Sequence, residues 1–151
     1  MEELQQPKKS SVSVRSIKLA QLNFIQKNNL INKESIGLDL GFSVSYQKIK
    51  PENTSIQFNF GMQLKLSQKN DNSSEINIGV IQAHVIGLFD YKNELDKKLF
   101  PNLASILYSY LRPIVAQISV MAKLPPIDLP ILNLSKIKVD EIIEEWYISI
   151  T

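Results

Sequence analysis

The 151-residue chain contains no cysteine, a single histidine, a single tryptophan and only five glycines. Without cysteine there is no disulfide and no thiolate chemistry, although the absence leaves the redox compartment open. With His84 as the only histidine, no Ser/His/Asp or Cys/His arrangement can be assembled, and no glycine-rich loop is present to cradle a phosphate. The chain is expected not to be an enzyme and to carry no cofactor. His84 sits mid-strand among apolar residues and reads as a partly buried structural histidine satisfied by a neighbour. Charge of one sign is also lacking: 17 basic against 15 acidic side chains leave a formal charge of +2, too small to point to nucleic acid. No apolar run approaches a membrane span, and Met1 to Ser11 is polar, without the hydrophobic segment of a signal peptide. The expected location is the cytoplasm, with no membrane insertion.

What the chain does have is hydrophobic patterning of two kinds. Residues 1–11 read as a flexible tail and 12–151 as one domain. Ile36, Leu38, Leu40, Phe42, Val44 and Tyr46 alternate with polar residues and glycine, as do Ile56, Phe58, Phe60, Met62, Leu64 and Leu66. Both runs have the period of a half-buried antiparallel strand, and Lys50 to Asn53 supplies the turn of a hairpin between them. In the first strand the apolar phase moves from Val12 and Val14 to Ile17 and Leu19, then to Leu22 and Phe24, so a bulge or kink is needed. In the fourth, Ile76, Ile78 and Val80 give way to Ile81, Ala83 and Val85 and then to Ile86 and Leu88, with Gly79 and Gly87 beside the slips. Asn70 to Ser73 closes the hairpin between strands three and four.

After Tyr91 the period becomes helical, from Leu99 to Ala122. Asn93 is a plausible cap of a short preceding turn. Pro101 suits the first turn of the helix, and Pro113 inside it removes the hydrogen bond to the Ser109 carbonyl and predicts a kink. The helix breaks at Leu124-Pro125-Pro126 into a strap in which Ile127, Leu129, Ile131 and Leu132 alternate with residues including Pro130. Three prolines that cannot donate keep this strap out of both helix and sheet interior. Asp140, Glu141, Glu144 and Glu145 lie opposite Ile142, Ile143, Trp146 and Tyr147, which reads as a short terminal helix with a solvated acidic face rather than a metal site. The expected class is α+β, a four-stranded antiparallel sheet with a long helix, the strap and a short C-terminal helix on one face.

At the strap the chain resembles the bacterial export chaperone family SecB. The residues that carry the resemblance are Tyr110-Leu111-Arg112, Leu124-Pro125 and the run Ile127-Asp128-Leu129-Pro130-Ile131-Leu132-Asn133-Leu134. Ile17 to Phe24 is similar to the family's kinked first strand, and Gly87-Leu88-Phe89 to the end of its fourth. The resemblance implies an ATP-independent holdase that keeps unfolded or pre-export polypeptides in apolar grooves. It also implies the translocation motor SecA as a partner, yet Gln21, Ile25 and Gln82 occupy the acidic docking positions and carry no charge. A chaperone or adaptor dedicated to one partner such as an antitoxin, or a structural module of the same fold, stands beside the general holdase.

On the residues alone Leu22, Phe24, Leu124, Ile127, Leu129, Ile131, Leu132 and Trp146 read as ordinary core. The resemblance turns them into a client groove lined by strap and first strand. Leu103, Leu107, Tyr110, Ile114 and Ile118 are the expected oligomer interface, because the helical stripe is wider than one sheet face needs. A homo-oligomer is expected, a dimer or, as the resemblance implies, a tetramer.

Overall fold

The computed structural model describes residues 12–32, 36–49, 54–92 and 94–141. Four long strands come first: β1 (Val12–Gln26), β2 (Gly37–Ile49), β3 (Ser55–Lys69) and β4 (Glu75–Tyr91). A 3-10 turn (Lys97–Leu99) leads into α1 (Phe100–Met121), and a two-residue strand β5 (Asp140–Glu141) follows the strap. The sheet order is β1-β4-β3-β2-β5.

The β2–β3 hairpin keeps one register from Gly37 opposite Ser67 to Ile49 opposite Ser55, so every apolar residue of the two alternating runs reaches the same face. The turn expected at Lys50 to Asn53 lies outside the described residues. In the β3–β4 turn the Asn70 side-chain oxygen accepts from the amides of Asn72 and Ser74 at 3.0 and 2.9 Å, as turn asparagines do.

The phase shifts of β1 are real bulges, between Val14 and Ser16 and between Leu19 and Gln21. They bring Ile17, Leu19, Leu22 and Phe24 onto the face that carries Gly87, Val85, Ala83 and Ile81 of β4. In β4 one of the two expected slips is present, at Ile78, where the pairing with β3 jumps between Leu66 and Ser67. A Cβ on Gly79 would stand 2.4 Å from the Ile25 carbonyl oxygen, so the glycine lets β1 approach beside the slip. The second slip is absent. Register runs unbroken from Gly79 to Asp90 against β3, and Gly87 instead makes room for the rings and methyls of Phe89 and Leu107 above it. Ile86 and Leu88 consequently lie half-buried on the opposite face with His84, between Gln21 and Gly61.

Helix α1 crosses β3 and β4, and its buried side is Phe100, Leu103, Ala104, Leu107, Tyr108, Leu111, Val115 and Ser119. Phe58, Phe60 and Phe89 are fully buried beneath it. Edge and tilted ring contacts join Phe58 to Phe100 at 5.5 Å and Phe60 to Tyr108 at 6.3 Å, and each buried ring adds about 1.5–3 kcal/mol. Pro101 lies in the first turn as expected, and the helix continues through Pro113. The preceding turn is capped by Asp96, whose carboxylate accepts from the Lys98 amide at 3.0 Å; Asn93 is outside the described residues.

Two expectations are corrected. The sheet is mixed, because Asp140 and Glu141 pair in parallel with Ser45 and Tyr46 on the outer edge of β2. Acidic–apolar patterning read these two residues as helix, but the strap delivers them extended to an edge of β2 that pairs with no other described strand, and the edge decides. The remainder of the expected terminal helix, Trp146 included, lies outside the described residues. In addition, the stretch Lys97–Met121 is long and apolar enough by length and composition to cross a membrane. Leu103, Leu107, Leu111 and Val115 within it are, however, buried in the core, and Arg112 is bonded to the strap.

Candidate functional site

The site is built by the way α1 ends. The amide of Lys123 donates to the Val120 carbonyl at 3.0 Å and that of Leu124 to Ser119 at 2.9 Å, with Lys123 at φ 58°. These two bonds are the 5→2 and 6→1 pair of a Schellman turn, with a lysine where glycine is usual. The chain reverses there, and Pro125-Pro126 prevents any return to helix.

Beyond the reversal the strap runs back along its own helix, held by three side chains of α1. The Ile127 amide donates to Ser119 Oγ at 3.3 Å, and that hydroxyl donates to the Ala116 carbonyl at 2.7 Å. Arg112 Nε donates to the Leu129 carbonyl at 3.0 Å, and Tyr108 OH to the Pro130 carbonyl at 2.6 Å. Burial pushes the Tyr108 hydroxyl above its ordinary pKa, which keeps it a donor. An Arg112–Asp128 contact at 3.7 Å adds little, since Asp128 is almost fully exposed. Tyr108 also packs edge-on against Phe42 at 5.7 Å, so the strap is held toward the β2 side of the sheet.

This geometry sorts the candidate residues. Leu124, Ile127 and Leu129 are buried, Leu129 to 1% exposure, so in the single chain they are core rather than groove lining. Ile131, by contrast, is 86% exposed, and Leu132 is half-buried. Leu22 and Phe24 are half-buried on β1, with β4 and β3 between them and β2. Within the single chain, strap and first strand therefore border different edges of the sheet. Trp146 is outside the described residues. Of the expected interface, Leu103 and Leu107 are buried on the sheet, Ile114 and Ile118 are half-buried, and Tyr110 faces out. The outward apolar flank of α1 is Ile106, Tyr110, Val120 and Met121, the last 82% exposed. Gln21, Ile25 and Gln82 lie on the sheet face away from the helix. Sequence reasoning missed Ser119 and Tyr108 as anchors, although polar groups at positions 108, 112 and 119 inside an apolar helical stripe were the available signal. Among the described residues no group of three His, Cys, Asp or Glu side chains could hold a metal ion.

Neither a family model nor a curated protein matches the sequence. Among solved structures, a SecB-like chaperone of Mycobacterium tuberculosis, in complex with a ChAD peptide from the HigA1 antitoxin, superposes with a TM-score of 0.66. The match is 20% identical and covers 81% of this chain and 91% of that one. The fold is SecB-like. A protein of unknown function from Streptococcus agalactiae is also similar, at a TM-score of 0.41 and 14% identity over 79% of this chain and 96% of that one. Within the SecB-like fold, the kinked first strand and the strap expected from sequence are both present.

Replacing Ser119 by Ala leaves the buried Ile127 amide without its acceptor, so the denaturant midpoint should fall by the equivalent of about 1–3 kcal/mol. Ser109→Ala, on the exposed side of the same helix, should leave it unchanged.

Proposed function

We propose that the protein is an ATP-independent chaperone that holds extended, unfolded polypeptide against the β2 edge beside the strap. The observation that carries this reading is Ile131. It is 86% exposed, one residue from a proline pinned by Tyr108, on a strap whose other large apolar residues are mostly buried. An isoleucine so fixed presents apolar surface without the freedom to collapse onto the core. On the helix-facing side of β2, Leu38, Leu40 and Phe42 are exposed or half-buried, and Phe42 packs on the same Tyr108 that holds Pro130. Beyond Ser45 and Tyr46, no described strand lies along β2's outer edge, the kind of edge to which an extended chain adds as a strand. Binding of that kind is sequence-tolerant and needs no nucleotide. Leu22 and Phe24 offer a second apolar border along β1, the other edge strand of the described sheet. Docking to SecA is not part of this reading, since Gln21, Ile25 and Gln82 bring no charge. A cytoplasmic setting fits a protein that meets unfolded chains before export.

A chemically unfolded reporter diluted into buffer with an equimolar amount of the protein should scatter less light than alone. Ile131→Ser should weaken the suppression while leaving the thermal midpoint in place, whereas Leu129→Ser should unfold the chain, as losses of about 2–5 kcal/mol at buried leucines do. Absence of any suppression by the wild type would end the holdase reading.

A second reading is favoured by the mycobacterial structure, which holds an antitoxin peptide on the same fold. A chaperone or adaptor dedicated to one partner would capture a single protein in a pull-down, where a general holdase captures many.

A homo-oligomer is part of the proposal, supported by the outward flank of α1. Ile106, Tyr110, Val120 and Met121 form more apolar surface along one helix side than a monomer usually leaves in water. Sedimentation equilibrium at micromolar concentration should return a dimer or tetramer, and Tyr110→Glu should shift it toward monomer. A wild-type monomer refutes the assembly.

A further inference from the structure

At the N-terminal end of α1, away from Ile131, a cleft of about 540 Å³ opens between Tyr46, Lys97, Lys98, Phe100, Ile137 and Glu141. Its volume is that of an ordinary ligand site. Tyr46 is 2% exposed, and its ring is fixed against Phe100 at 4.6 Å. Among the described residues its hydroxyl is the only buried side-chain polar atom without a hydrogen-bond partner. Glu141 and Lys97 stand close enough to interact with it, Glu141 raising and Lys97 lowering its pKa, but with neither does the hydroxyl reach good hydrogen-bond geometry. A buried hydroxyl left in that state is destabilising, and a ligand that accepts from it recovers much of the loss. Burial first, and Glu141 second, push the hydroxyl above its ordinary pKa, so it is a donor at neutral pH. Lys97 and Lys98 form no ion pair with another described residue.

The donors and acceptors specify the occupant. Two ammonium groups call for a carboxylate. Glu141 opposes a purely anionic ligand such as inorganic phosphate, but it can accept an N–H. Tyr46 needs a carbonyl or carboxylate oxygen. Phe100 and Ile137 offer an apolar wall. A peptide bond flanked by an acidic and an apolar side chain meets all four requirements, and the cleft adjoins β5 on the same edge of the sheet where extended chain is proposed to lie. We propose that this cleft is a subsite for an acidic–apolar segment of bound polypeptide, with its carboxylate at Lys97 and Lys98, its backbone carbonyl on the Tyr46 hydroxyl and its apolar side chain on Phe100. The inference rests on the polypeptide-binding reading and gives it a charge preference.

The test is fluorescence anisotropy on the full chain with two short labelled peptides, one alternating Asp with Leu and one alternating Lys with Leu. The Asp–Leu peptide should bind, more weakly as salt rises, and inorganic phosphate should not displace it. Tyr46→Phe keeps the ring and should weaken binding roughly fivefold, the effect of losing one hydrogen bond. The double variant Lys97→Gln, Lys98→Gln, altered only at exposed positions, should abolish the preference between the two peptides. Equal binding of both peptides to the wild type, an Asp–Leu affinity unmoved by Tyr46→Phe, or displacement by phosphate would each overturn the subsite. Reporter aggregation measured alongside separates the two readings. Suppression that persists while the peptides show no preference removes the subsite alone, and suppression absent from the wild type removes the parent reading.

Discussion

Three side chains on one face of α1 decide what the strap can do. Ser119, Arg112 and Tyr108 take up the Ile127 amide and the Leu129 and Pro130 carbonyls in turn, so a segment too rich in proline to form its own hydrogen-bonded structure is held by its helix instead. Buried backbone groups must be paired somewhere, and here the helix pairs them through side chains. Without those bonds Leu129 would have no fixed seat on the core, and Ile131 no fixed position in solvent. The Schellman turn at Lys123 starts this arrangement, and β5 ends it by joining the chain to the edge of β2.

The same constraint separates two kinds of surface. On the strap, residues facing the helix are core and Ile131 faces water. On the helix, Leu107 and Leu111 face the sheet while Val120 and Met121 face water. Apolar residues outside thus stand on backbone that is well anchored inside. The cleft under Tyr46 lies at the other end of the helix, where lysines, a glutamate and an orphaned hydroxyl replace bare hydrocarbon.

Much of this was legible in the residues. The alternation in β2 and β3 gave their shared face, the phase shifts in β1 gave its two bulges, and Leu124-Pro125-Pro126 gave the helix end. The readings that failed did so where tertiary structure outweighs local pattern. Gly87 looked like a strand slip because glycine interrupts alternation, yet it serves the packing of Phe89 and Leu107. Asp140 and Glu141 carry helical patterning, but a free strand edge captured them. Periodicity placed Leu103 and Leu107 in an apolar stripe without revealing which side of that stripe the sheet would cover. That strap and first strand border different edges of the sheet could not be read at all, because strand order is not encoded in the pattern of any one strand.

Amide hydrogen exchange at Ile127 tests the anchored strap most directly. If Ser119 holds this amide in a buried hydrogen bond, it should exchange as slowly as the amides of β3 and share their dependence on denaturant, which marks opening by global unfolding. Exchange at the rate of exposed turn residues such as Asp71, insensitive to global stability, would show that the strap detaches on its own and would contradict the account.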